Sequence, residues 1–129
     1  MITLKQVLKL NAASCLMFGS LFVLMPSSIA VFLSESQPLP SLLILVTGVV
    51  LLLNGGHLLW AAYQSKPSRH WIFYFSAGDF LWVLATLVLV IGGFGVTTTL
   101  GIVTALVIAL VVAELGIMQL VTLRKETQP

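Results

Sequence analysis

The sequence predicts an all-α fold: a four-transmembrane-helix bundle with antiparallel neighbours, forming one integral membrane domain over residues 1–129. Three observations predict it. Four apolar runs are each long enough to cross a hydrocarbon core, which takes about 20 residues of helix. Only 8% of residues are charged and 59% belong to the hydrophobic set, where a soluble domain carries about 25% charged residues. All six Lys and Arg residues fall on one side of the runs. A chain this short cannot hide so much apolar surface from water, which excludes a soluble enzyme, a nucleic-acid binder and a disordered chain.

The first run covers about 7–25 and stops at Pro26. The second covers about 42–63 and the third about 71–91, which stops at Gly92-Gly93. The fourth covers about 100–123. Each exceeds the 9–11 residues, roughly, of a barrel strand and lacks alternation, so helices are expected. Lys5 and Lys9 precede the first run, Lys66 and Arg69 lie between the second and third, and Arg124 and Lys125 follow the fourth. The positive-inside rule therefore puts both termini and the 64–70 loop in the cytoplasm of a cell whose inner (plasma) membrane holds the chain. Trp60, Tyr63, Trp71 and Tyr74 gather at the same boundary, as an aromatic belt does. The basic start and Ser28-Ile29-Ala30 look like a secretory signal, but the run is long and contains Asn11, so the first span is expected to be retained.

Two short segments join the runs on the far side. In 26–41, Ser27 and Ser28 are expected to cap a short turn that buries Ile29, Val31, Phe32 and Leu33 at the outer membrane interface. In 92–99, one of Thr97, Thr98 and Thr99 is expected to cap the fourth helix. A weak internal repeat sets Val46-Thr47-Gly48 over Val103-Thr104-Ala105 and His57 over Glu114, and Asn11-Ala12-Ala13-Ser14 over Ser76-Ala77-Gly78-Asp79. It would make a parallel repeat of two hairpins.

Function is carried by the polar exceptions. Asn54 and His57 lie in the second span, Asp79 in the third and Glu114 in the fourth. A charged side chain at mid-span costs about 2.5–3.5 kcal/mol. By the helical rise, the four sit roughly 10–15 Å from the inner boundary, so they are expected to form one intramembrane polar cluster. Asn11 and Ser76 extend it: Asn11, Ser14 and Cys15 make a polar face on the first span, and Ser76, Asp79 and Thr86 another on the third. Gly101, Ala105, Ala109 and Ala113 form a small-residue ridge on the fourth span; Gly48, Gly55 and Gly56 on the second and Gly78 and Ala85 on the third add close-approach positions.

No metal and no cofactor is expected. One His and two acids lack a short-spaced ligand pair, a second intramembrane His for haem is missing, and the lone Cys15 excludes a disulfide framework and a thiolate cage. His70 reads as a solvated loop residue.

The stretch from Leu10-Asn11 through Gly19 to Pro26, with the following Ile-Ala-Val-Phe-Leu and the run from Thr47 to Gly55, resembles DoxX-like small bacterial membrane proteins. The resemblance implies four spans, inward termini and an association with oxidoreductase or quinone-linked complexes, and it brings no catalytic motif. The favoured expectation is a structural or accessory subunit of a membrane complex, not an enzyme, with the lipid bilayer as surroundings and a homo-oligomer or larger membrane assembly as partner. One alternative is a proton-coupled transporter using Asp79 and Glu114. The other is a quinone-associated oxidoreductase subunit using His57 and Asp79.

Overall fold

The computed structural model describes residues 2–127, all of whose regular structure is helical. The elements are α1 (Leu4–Leu24), α2 (Pro26–Leu33), α3 (Ser41–Ala62), α4 (Arg69–Gly92) and α5 (Thr99–Thr127). Four of them, all but α2, are long and apolar enough to cross a membrane.

Local chemistry sets the ends. α1 starts three residues earlier than expected because Thr3 and Gln6 form a capping box: the Thr3 hydroxyl accepts from the Gln6 amide at 3.2 Å, and Gln6 Oε1 accepts from the Thr3 amide at 2.9 Å. Pro26 opens α2, where its missing N–H costs nothing. Ser27 does not cap that helix; its hydroxyl meets Ser41 Oγ at 3.0 Å, and only Ala30 of α2 is buried while Val31 and Phe32 are exposed. The turn is a full helix of eight residues that packs Ala30 inward and turns Val31 and Phe32 outward. α4 ends at Gly93, whose φ of 66° suits a residue without a Cβ. Thr98 caps α5, accepting from the Gly101 amide at 2.9 Å. It also donates to Phe32 O at 2.7 Å, and Ser34 Oγ meets Thr97 Oγ1 at 2.6 Å, so the two far-side segments are tied to each other.

Packing is uneven. α1 lies mainly on α3, α4 mainly on α5, and α1 bridges to α5. The α1–α3 seam is a glycine contact: a Cβ on Gly19 would stand 2.9 Å from Gly48 O, and one on Gly48 would stand 2.7 Å from Phe22 Cβ. Gly55 rests on Cys15 and Leu16. On α5, Gly101 meets the Leu33 backbone and Ala109 is buried, whereas three other small residues behave differently. Gly56 and Gly78 have open space beside them, and Ala85 is exposed. One apolar core, with Leu8, Leu58, Ile72, Phe75 and Leu123, joins α1, α3, α4 and α5. The Leu4 amide donates to Glu126 Oε2 at 2.6 Å and Lys9 lies over the Tyr63 ring at 5.1 Å, so the cationic segments share one end of the molecule.

Candidate functional site

Four buried polar side chains from three helices meet in this core. Asn11 comes from α1, Ser76 and Asp79 from α4, and Gln119 from α5, each 6% exposed or less. Asn11 Nδ2 donates to Asp79 Oδ2 at 3.0 Å and to Gln119 Oε1 at 2.6 Å. Gln119 Nε2 donates to Asp79 Oδ2 at 3.2 Å and to Ser76 Oγ at 3.0 Å. Ser76 Oγ passes its own hydrogen to Gly116 O at 3.1 Å. Both amide groups thereby spend both hydrogens inside the ring. Among the described residues no fully buried side-chain nitrogen or oxygen lacks a partner.

The ring reaches α3 through sulfur. Cys15 Sγ stands 3.8 Å from Asn11 Oδ1, to which it donates, and Asn54 Nδ2 donates to Cys15 Sγ at 3.5 Å. The site thus links all four long helices. Asp79 is its one carboxyl group. Oδ2 takes both amide donors, and Oδ1 has no hydrogen-bond partner among the described residues.

The structure therefore brings together Asn11, Ser76 and Asp79, with Asn54 attached through Cys15, and leaves two expected members outside. His57 lies in an aromatic nest: its ring centroid is 4.4 Å from that of Trp71 and 5.0 Å from that of Phe75, with Trp60 and Tyr74 beyond. Glu114 is exposed on the outer side of α5 and has no partner among the described residues. The reason is angular. Gln119 is five residues from Glu114, which is about 140° round the helix, so the two cannot share a face. Gln119 itself was not among the expected site residues. Its signal is the stripe Gly116, Gln119, Thr122 at three-residue steps, all buried.

No protein-family model, curated protein or solved structure matches the chain.

What the ring can do follows from its bonds. It clamps three helices at one depth, and it holds one carboxyl oxygen uncommitted where a proton or a donor group could be taken up.

Proposed function

We propose that the chain is a multi-pass protein of the inner membrane, a bundle of four antiparallel spans with both termini cytoplasmic, serving as a structural or accessory subunit of a membrane complex, akin to DoxX-like proteins. The observation that carries this reading is the closure of the Asn11–Asp79–Gln119–Ser76 ring, whose amide donors are all spent within the chain. A ring so satisfied is a helix staple: interhelical hydrogen bonds of this kind contribute about 0.6 kcal/mol each and set register. The contacts of Gly55 with Cys15 and of Gly48 with Phe22 and Gly19 support antiparallel packing of α1 and α3. The pairing of α1 with α3 and of α4 with α5 favours the two-hairpin repeat. Asn11 belongs to the ring, which supports retention of the first span.

Reporter fusions test the topology: fusions after residue 127 and within 64–70 should report cytoplasm, and those within 34–40 and 93–97 the opposite side. A C-terminus on the far side would put all six cations where the positive-inside rule forbids them. Purification from native membranes tests the role. The chain should co-elute with larger membrane proteins.

The uncommitted Oδ1 of Asp79 favours a second reading, a proton-coupled transporter. Asp79→Asn separates the two. Under the staple reading the variant folds and its complex assembles as before; under the transport reading it folds and loses proton-coupled uptake.

A further inference from the structure

The staple explains Asp79 and leaves Glu114 unexplained. Glu114 is the sole charged residue of α5 between Thr99 and Arg124. It is exposed, and Arg124 and Lys125, the cations on its own helix, begin ten residues away, about 15 Å along the axis. A glutamate side chain is too short to bridge that distance to the interface. A carboxyl group facing hydrocarbon at this depth is unfavourable, so something polar covers it.

The surrounding face says what. Leu100, Val103, Val107, Leu110, Glu114, Ile117 and Val121 alternate three- and four-residue steps, and all are exposed. In heptad letters Leu100, Val107, Glu114 and Val121 take the a positions, and Val103, Leu110 and Ile117 the d positions. Spacing alone does not single α5 out, because the outer face of α3, Val46-Val49-Leu53-Gly56-Trp60, repeats in the same way. The carboxyl group in the seam does. A single polar residue at an a position is the arrangement that fixes register in coiled coils.

We propose that α5 packs against α5 of a second copy of this chain, with Glu114 meeting its counterpart across a two-fold axis along the membrane normal. Copies inserted by the same positive-inside signals are parallel, so equal depths meet. A residue on such an axis has to complement itself. A carboxyl group does: its oxygens accept hydrogen bonds, and its acid form also donates one. The seam is isologous and closes at two. This inference rests on the membrane-spanning reading above and names the partner in the proposed complex.

Cysteine cross-linking in native membranes, on the full chain carrying Cys15→Ser, tests it. Leu110→Cys and Ile117→Cys, both d positions, should each give disulfide-linked dimers under mild oxidation. Leu53→Cys, more exposed than either, should not. Adding Glu114→Leu should weaken dimerisation in lipid on the order of threefold to tenfold. Glu114→Gln, which also complements itself, should restore most of it. Cross-linking at 110 and 117 no greater than at 53 overturns the dimer, and so does a disulfide to a different protein in place of the second copy. Cross-links indifferent to Glu114→Leu overturn the part given to the carboxyl group. Far-ultraviolet circular dichroism and the reporter fusions are run on the same variants. Full helicity with correct topology but no cross-link sinks the dimer alone, whereas fusions that place the 110–117 region outside the bilayer sink the membrane reading first.

Discussion

Asp79 is 6% exposed and its Oδ2 accepts from two amides, whereas Glu114, in the middle of the adjacent helix, is exposed and bonds nothing among the described residues. The two acids share chemistry and have similar depth. They differ in azimuth. Asp79 follows Ile72, Phe75 and Ser76 on the buried stripe of α4, and Glu114 follows Val107 and Leu110 on the outer stripe of α5. The difference teaches that an intramembrane carboxyl group has two ways to find polar company. It can be enclosed by amides of its own chain, or it can wait at the surface for another chain.

The largest effect should come from Asp79→Leu. It strips the acceptor from two buried amides, and each buried donor left unpaired costs about 1–3 kcal/mol. Unfolding of the purified protein in mild detergent by a denaturing detergent, followed by circular dichroism, should show a midpoint well below that of the native chain. If Glu114→Leu lowers the midpoint as much, the contrast between the two acids is broken.

Gln119→Leu comes next. The Gln119 side chain is fully buried and makes three bonds, but Ser76 keeps its bond to Gly116 O and Asp79 keeps Asn11. The loss should be about 1–2 kcal/mol on the same measurement, since one amide hydrogen of Asn11 is stranded. Asn11→Leu combined with Gln119→Leu should cost less than the sum of the single changes, because both partners of one bond then leave together. Additive losses would mean that the two amides do not act through each other.

Much of this was legible before any coordinates. The four spans follow from run length, and the common end of the cations from their positions, because a bilayer imposes both rules on sequence directly. Asp79, Asn11, Ser76 and Asn54 stand out as polar residues in apolar runs, and all four belong to the site or its sulfur link. Depth counts one coordinate only. Which way a residue faces depends on the pairing of helices, and that pairing is decided by glycine contacts such as Gly19 on Gly48, too sparse a signal to orient every span. So Glu114 and His57, counted to the same level as Asp79, lie outside the ring. Gln119 gives a weaker sequence signal, because a neutral amide costs less to insert than an acid, although its spacing from Gly116 and Thr122 marks the inward stripe of α5.

Asp79→Asn sharpens the comparison further. The asparagine carbonyl oxygen can replace Oδ2 as acceptor for Asn11 and Gln119, and its new N–H₂ occupies the place of the uncommitted Oδ1. The unfolding free energy should fall by less than about 1 kcal/mol, below the loss for leucine, because the acceptor survives. A loss equal to that of Asp79→Leu would show that Oδ1 too is engaged and that the ring needs a carboxyl group.

The smallest effect on the fold belongs to Glu114→Leu. Glu114 touches no polar group of its own chain among the described residues, so at dilutions chosen to hold the chain as a monomer in detergent its removal should change the unfolding free energy by no more than about 0.5 kcal/mol. In lipid at higher protein density the same variant should self-associate more weakly while Asp79→Asn keeps it. Each acid then fails in one assay and passes in the other. A Glu114→Leu chain that unfolds early as a dilute monomer would mean that the carboxyl group turns inward, and the outer face of α5 would then be lipid-covered like that of α3.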